Sequence, residues 1–121
     1  MAKRLLFFII LCFSLPVAAS VMSDAVNNRS GMVYLYSQHC GYCVKFEPIY
    51  RQLEKKYGKT YKFKKISADM NEGRILAKEY GVYSVPTVLV FNSKIKKTAR
   101  VVPECMFDIS CLEKEFINFI R

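Results

Sequence analysis

The sequence lacks the spacing of cysteine and histidine residues that a structural zinc site requires. Its 121 residues include one histidine, His39, and five cysteines. Cys40 and Cys43 have the spacing of half a zinc site, but Cys105 and Cys111 are too widely spaced to be a good second half. Since His39 is adjacent to Cys40, it is poorly placed to be a further ligand. We therefore expect no bound metal and no other cofactor.

The sequence also lacks a hydrophobic run long enough to cross a membrane. The apolar stretch 5–15 is shorter than the roughly 20 residues that a transmembrane helix needs. Two basic residues precede it, and Pro16 and the short side chains of 17–19 follow. This layout is typical of a secretory signal peptide. We expect residues 1–19 to be a signal peptide and the protein to be exported, into the periplasm if its source is bacterial and otherwise secreted or lumenal.

Two alternatives for this segment stay open. An uncleaved membrane anchor would use the same apolar stretch. A lipid attached to Cys12 would normally require a small preceding residue, whereas Leu11 is bulky. Cleavage after Ala19 leaves residues 20–121 as one domain, because this part contains no repeat, linker or low-complexity tract.

Acidic residues are few. The chain has 10 Asp and Glu against 19 Lys and Arg, a formal net charge of +9. A basic surface can attract nucleic acid or anionic lipid. However, the lysines at 62 and 64 alternate with Tyr61 and Phe63, as on a half-exposed strand, and an exported chain rarely meets nucleic acid. We therefore expect no nucleic-acid partner and interpret the charge as favouring solubility and acidic protein clients.

The hydrophobic pattern predicts an α/β domain. Branched, aromatic or alternating runs predict four strands, at 32–37, 61–67, 88–91 and 97–102. The last two are joined by a short connection, which favours antiparallel pairing. Apolar residues at helical spacing predict helices over 43–57, from Asp69 or Asn71 to about Tyr80, and after Ser110. With a short helix or a loose arm at 20–31, the order β-α-β-α-β-β-α predicts a central mixed sheet of about four strands flanked by helices.

Helix ends and faces give more specific predictions. Gly58 is expected to end the first of these helices. The pattern Ser110-x-x-Glu113 is that of a capping box and predicts the start of the last helix. Three residues of the middle helix are expected to face the core: Ile75, Leu76 and Tyr80.

Cys40 and Cys43 carry the predicted chemistry. They follow the first strand and open the helix after it. Because the start of a helix stabilises negative charge, a thiol at Cys40 is expected to ionise more easily than a free thiol. Cys43 begins the apolar stripe of the helix and should be the more buried sulfur. We expect Cys40 to attack disulfides as a thiolate and Cys43 to resolve the mixed disulfide that forms.

These features resemble the thioredoxin family over nearly all of residues 20–121. The resemblance rests on four motifs: Cys40-Gly41-Tyr42-Cys43 at a strand–helix junction, Pro48 five residues later, Glu79-Tyr80-Gly81-Val82 ahead of Val85-Pro86-Thr87, and a closing β-β-α. It implies a thioredoxin-like fold and thiol–disulfide oxidoreductase activity. It also implies that Pro86 follows a cis peptide bond and packs near the active-site sulfurs, and that Val85 offers its backbone to a client peptide.

The chain departs from the cytosolic members of that family at the site itself. Gly41-Tyr42 replaces Gly-Pro and is similar to the dipeptide of bacterial periplasmic disulfide isomerases, and His39 replaces a tryptophan. A cationic His39 would favour a Cys40 thiolate, whereas a solvated ring would have little effect. The family's buried acid, six residues before the first cysteine, is Tyr34 here. Lys65, Glu47 or water would then have to accept the proton of Cys43.

The second cysteine pair predicts a second disulfide. Cys105 and Cys111 lie too far apart for a disulfide within one continuous helix, but a loop before Ser110 would let Cys105 fold back. The family resemblance places this loop beside the client groove, near Pro86. We favour a disulfide that staples the loop, and a pair that senses or relays redox state is the alternative.

Together these observations predict a monomeric thiol–disulfide oxidoreductase that acts on exported proteins through Cys40 and Cys43. A redox partner would recycle the pair. The Gly41-Tyr42 dipeptide favours reductase or isomerase activity. His39 and export would instead suit a disulfide-forming oxidase. A non-catalytic client-binding or assembly module is a further alternative, although a pure binder needs neither cysteine.

Overall fold

A computed structural model of the protein describes residues 18–121. The predicted signal peptide, with Cys12 and Pro16, lies outside the described residues except for Ala18 and Ala19, which begin the first helix. The described elements follow in the order α1 (Ala18–Ala25), β1 (Gly31–Tyr36), α2 (Gly41–Tyr57), β2 (Lys62–Ser67), α3 (Asn71–Glu79), β3 (Thr87–Asn92), β4 (Lys97–Arg100), α4 (Pro103–Met106) and α5 (Ile109–Ile120). No helix among these residues is both long enough and apolar enough to span a membrane.

The four strands form one mixed sheet in the order β2-β1-β3-β4. β1 is parallel to β2 and antiparallel to β3, and β3 is antiparallel to β4. The predicted fold class, a mixed four-stranded sheet flanked by helices, is confirmed. Because β1 and β3 are central, their side chains are buried almost throughout, which explains their uninterrupted apolar sequences.

The core has two layers, one on each face of the sheet. Alternate residues of β1 point to opposite faces, so that Met32 and Tyr34 lie in one layer and Val33 and Leu35 in the other. Helices α2 and α5 cover the first layer with a set of apolar residues: Phe46, Tyr50, Leu53, Leu112, Phe116 and Ile120. Helices α1 and α3 cover the second with Met22, Ala25 and Leu76.

Helix α2 ends where the sequence predicts, but for a different reason. It contains Pro48 and is followed by Gly58, whose φ of −65° is right-handed. A Cβ at Gly58 would lie 2.5 Å from the Glu54 carbonyl oxygen. A glycine is therefore needed here for close approach rather than for a left-handed turn.

Two predictions about helix α3 are wrong. Its N-cap is Met70, which makes no side-chain capping bond, in place of Asp69 or Asn71. Ile75 was expected to face the core but is 54% exposed. A Cβ at Gly73 would lie 1.9 Å from the Ser67 carbonyl oxygen, so this side of the helix is pressed against the end of β2. Because Gly73 and Leu76 share the inward face, Ile75 points outward, while Tyr80 is half-buried against the core.

Three further predictions are wrong in the C-terminal region. β4 ends at Arg100 instead of residue 102, and Cys105 lies in the short helix α4 instead of a loop. A proline at the first helical position, Pro103, is the local signal for α4. Helix α5 begins before Ser110, and the capping-box prediction is wrong. The Asp108 side chain is the cap, accepting the N–H groups of Ser110 at 3.0 Å and Cys111 at 3.2 Å.

Removal of the Asp108 carboxylate should therefore destabilise the domain. We expect Asp108→Ala to lower the free energy of unfolding by about 1 kcal/mol, because two N–H groups of the first turn lose their acceptor. Ser110→Ala is the matched control, and its loss in free energy of unfolding should be only a few tenths of the loss in Asp108→Ala. Denaturant unfolding of both variants measures the two losses. Equal losses in the two variants would restore Ser110 as the cap.

Candidate functional site

Cys40 lies at the junction between β1 and α2 and caps the helix. Its backbone is extended, with φ −128° and ψ 106°, and its Sγ accepts the Cys43 N–H at 3.1 Å. The two cysteines form a disulfide with a Cα–Cα distance of 5.2 Å. Cys43 is 4% exposed, whereas Cys40 is half-buried. The helix start thus offers one sulfur to solvent and holds the other against the core.

Val85 and Pro86 lie beside this pair. The peptide bond between them is cis. β3 begins immediately after them, with Thr87 opposite Leu35 of β1, so the antiparallel pairing brings Val85 to the end of β1 where Cys40 stands. The Val85 carbonyl oxygen is 3.7 Å from the Cys40 Sγ. Its N–H donates to no backbone carbonyl within residues 18–121, which leaves it free to pair with a peptide laid along this edge.

An apolar groove of about 430 Å³ adjoins Pro86. Tyr42 lines it and is 65% exposed, with its ring centroid 6.1 Å from that of Phe107 in an edge contact. Phe107 in turn contacts Phe46 of the core at 5.8 Å. The remaining walls include Val102, Met106 and Arg100. Sequence reasoning placed the segment before the last helix beside this groove but did not single out Phe107 or Met106.

The second disulfide holds that segment in place. Cys105 and Cys111 are bonded with a Cα–Cα distance of 5.2 Å. Cys105 belongs to α4 and is 3% exposed, and Cys111 belongs to the first turn of α5. Met106 and Phe107 lie between the two cysteines in sequence. The disulfide therefore fixes the helix turn that carries one wall of the groove.

His39 and Gly41 are the sequence neighbours of Cys40. Both are exposed, and neither lines the groove beside Pro86 or the cavity that Cys40 and Cys43 border. A Cβ at Gly41 would meet nothing within 4 Å. A tuning role for these two residues stays a prediction. Within residues 18–121, no three His, Cys, Asp or Glu side chains are grouped so as to hold a metal ion.

Tyr34 lies directly behind Cys43. Its side chain is fully buried, and its hydroxyl donates to the Cys43 carbonyl oxygen at 3.0 Å. Its ring packs on Phe46 and Tyr50, with centroid distances of 4.9 and 5.1 Å. Burial, reinforced by the nearby negative charge of Glu47, raises the pKa of Tyr34 to about 12. The phenol therefore stays protonated at neutral pH and serves as a hydrogen-bond donor.

A second cavity, of about 500 Å³, is bordered by both active-site cysteines. Glu47 and Lys65 line it together with Tyr34, and the Lys65 Nζ is 3.0 Å from a Glu47 carboxylate oxygen. The other Glu47 oxygen is 2.9 Å from Arg51. Sequence reasoning named Glu47 and Lys65 but missed Arg51, although the four-residue spacing from Glu47 predicts such a pair on a helix.

Comparisons with known proteins agree with this geometry. A family model described as Thioredoxin matches residues 15–104. Chloroplastic thioredoxin M4 of Arabidopsis thaliana is 39% identical over 70 residues. The match covers 58% of this chain and spans only 35% of the length of that protein. A thioredoxin of Bacillus subtilis is 33% identical over 78 residues, covering 63% of this chain and 73% of that one. Among solved structures, thioredoxin NaTrxh from Nicotiana alata has 28% sequence identity and a TM-score of 0.64, with 84% and 83% of the two chains covered.

The second disulfide should behave as a staple. We expect the double replacement Cys105→Ser and Cys111→Ser to lower the free energy of unfolding by about 2–4 kcal/mol, because the unfolded chain loses a cross-link. Thiol reactivity of the reduced Cys40–Cys43 pair should change little. Denaturant unfolding and alkylation kinetics measure the two effects. A large loss of disulfide-exchange turnover at unchanged melting temperature would instead identify a redox relay.

The buried phenol of Tyr34 should make the protein sensitive to alkali. The unfolded chain ionises this group near pH 10, whereas the folded protein retains its proton up to about pH 12. The folded state thus binds more protons in this window, and stability falls as pH rises through it. Between pH 10 and 12, the free energy of unfolding should fall less in Tyr34→Phe than in the unmodified protein. We expect the two falls to differ by about 2–3 kcal/mol.

Tyr83→Phe is the control for this pH series, because Tyr83 is 95% exposed. Its unfolding curves should run parallel to those of the unmodified protein. If the curves of Tyr34→Phe also run parallel, the burial of the Tyr34 phenol does not set the alkaline limit.

Proposed function

Because this chain belongs to the thioredoxin family, we propose that it is a thiol–disulfide oxidoreductase that exchanges disulfides with exported proteins, as a reductase or isomerase. The observation that carries this proposal is the contrast between the two sulfurs. Cys40 is accessible at a helix start, where the Cys43 N–H already points at its sulfur. Cys43 is nearly buried but bonded to Cys40. A nucleophile and a resolving thiol require this division of exposure.

The exchange begins with the reduced pair. The Cys40 thiolate attacks one sulfur of a client disulfide, the client S–S bond breaks, and the second client sulfur leaves as a thiolate that takes up a proton. Cys43 then attacks the Cys40 sulfur, the bond between Cys40 and the client breaks, and the Cys40–Cys43 disulfide forms. The client gains two electrons and two protons, and the cysteine pair loses them. A dithiol redox partner reverses the oxidation of the pair.

The surroundings of Cys40 suit a protein client. The unpaired Val85 N–H and the carbonyl beside the sulfur can bond an extended peptide as an added strand. The apolar groove then offers Tyr42 and Phe107 to apolar side chains exposed on a misfolded client. Arg100 at the groove and the excess of Lys and Arg over Asp and Glu favour acidic clients.

Export and the reductase or isomerase direction rest on separate observations. The Cys105–Cys111 disulfide, which is separate from the Cys40–Cys43 pair, is a bond that persists in oxidising compartments. The exposed Tyr42, between Gly41 and Cys43, belongs to the Gly41-Tyr42 dipeptide that is similar to that of periplasmic isomerases. Both support a protein that acts on client disulfides outside the cytosol.

The reduction potential of the Cys40–Cys43 couple tests the direction. We expect a value between about −270 mV, as in thioredoxin, and about −180 mV, as in protein disulfide isomerase. A value near −120 mV would make the protein an oxidase. Insulin reduction and recovery of a scrambled disulfide protein then separate reductase from isomerase.

Single cysteine variants test the division of roles. We expect Cys43→Ser to accumulate a mixed disulfide with the client at Cys40, and Cys40→Ser to be inactive without trapping client, as read by mass spectrometry. Trapping at Cys43 in Cys40→Ser would reverse the roles. Client binding without any exchange in the unmodified protein would replace the enzyme with a binding module.

A further inference from the structure

The buried Cys43 thiol has to be deprotonated during the exchange. Cys43 must lose its proton before it can attack the mixed disulfide. It is 4% exposed and surrounded by core residues, and burial disfavours a charged thiolate. A protein group that lies close to this sulfur and accepts its proton would lower that cost.

Tyr34, the residue behind Cys43, cannot be that acceptor. Its hydroxyl is already a donor to the Cys43 carbonyl oxygen. With a pKa of about 12, it holds its own proton at neutral pH. Tyr34 therefore supports the start of α2 through its hydrogen bond but does not act as a base.

Glu47 is the one carboxylate among the residues that line the cavity bordered by both sulfurs. It stands four residues after Cys43 on α2, and residues at this spacing share a helix face. Because Cys43 and Glu47 border the same cavity, a proton can pass between them without crossing packed core. The cavity is open to solvent, so the carboxylate can afterwards release the proton to water.

The charged groups around Glu47 hold its carboxylate in place. Lys65 reaches it from β2 at 3.0 Å, and Arg51 reaches it from α2 at 2.9 Å. The Lys65 Nζ also lies 4.5 Å from the ring centroid of Tyr36 and 5.8 Å from that of Tyr34. The titratable and charged groups that face Glu47 thus come from three elements: Lys65 of β2, Tyr34 and Tyr36 of β1, and Arg51 of α2, which is itself paired with Glu54 at 3.0 Å.

We propose that Glu47 accepts the proton of the Cys43 thiol during the resolving step and that Lys65 is the positioning residue for its carboxylate. This inference rests on the proposed function. In the step, the Cys43 S–H proton moves to the Glu47 carboxylate, and the Cys43 sulfur bonds to the Cys40 sulfur. The bond between Cys40 and the client breaks, and the client leaves as a thiolate. The proton on Glu47 then passes to solvent or to the departing thiolate.

The test separates the two chemical steps in one experiment. The fully reduced protein, carrying the Cys105→Ser and Cys111→Ser replacements, is mixed with the aromatic disulfide 5,5′-dithiobis(2-nitrobenzoate) in a stopped-flow instrument. The first release of the yellow thiolate reports attack by Cys40. The second release reports attack by Cys43 on the mixed disulfide.

We expect Glu47→Gln to leave the first release unchanged and to slow the second about 100-fold at neutral pH, the scale of a lost general base. The second rate of this variant should rise about tenfold per pH unit, because hydroxide then has to remove the proton. The protein with Glu47 should show a much flatter profile. Lys65→Met should slow the second release by a smaller factor, since the carboxylate remains but loses its partner. Formate should partly restore the second release in Glu47→Ala.

Glu54→Gln is the matched control, because Glu54 belongs to the same helix and pairs with Arg51 but does not line the cavity. It should retain both rates and the flat pH profile. Equal second-release rates and pH profiles in Glu47→Gln and Glu54→Gln would overturn the assignment of Glu47 and leave the proposed function intact. A first release no faster than that of an unfolded cysteine peptide, in the protein with Glu47, would instead refute the proposed function.

Discussion

The structure depends on one junction, where the central strand β1 ends and helix α2 begins at Cys40. The Sγ of Cys40 takes the place of a capping oxygen and accepts the Cys43 N–H at 3.1 Å. This capping bond and the Cys40–Cys43 disulfide together hold the two sulfurs at the first turn of the helix. Since β1 lies between β2 and β3, this junction also has a neighbour on either side: the Val85–Pro86 segment that precedes β3 and the Lys65 side chain from β2.

These two neighbours give the cysteine pair two different environments. Toward β3, the groove is apolar and holds exposed Tyr42 and Phe107, which suits contact with client side chains. Toward β2, the cavity contains the ion pair of Glu47 and Lys65, which suits the movement of protons. Both sulfurs border the charged cavity, but only the Cys40 sulfur also lies beside Val85, which lines the apolar groove. In the proposed function, the sheet order therefore places client contact on the β3 side of the cysteine pair and proton transfer on its β2 side.

The sequence alone predicted the features that depend on local pattern. The cysteine pair, the four strands and the apolar stripe of α2 follow from periodicity and from neighbouring residues. Ile75 and Leu76 look equally apolar in sequence, and only the close approach of Gly73 to β2 decides which one is buried. Asp108 and Ser110 are both good caps, and the choice follows from the turn between α4 and α5 that the second disulfide fixes. The hydrogen bond from Tyr34 to Cys43 joins two elements and has no local signal at all.

Tyr34 also explains how the charged cavity is compatible with a stable core. An ionised carboxylate at this fully buried position would have to lose its hydration, which is costly without a partner. A phenol avoids that cost, because it stays neutral and fills the space between Phe46 and Tyr50 with aromatic contacts. The carboxylate is instead placed at Glu47, where it remains partly exposed and faces two cations. A carboxylate on the helix instead of the strand keeps an ionisable group in the cavity that Cys43 borders, while the core beneath α2 stays uncharged and well packed.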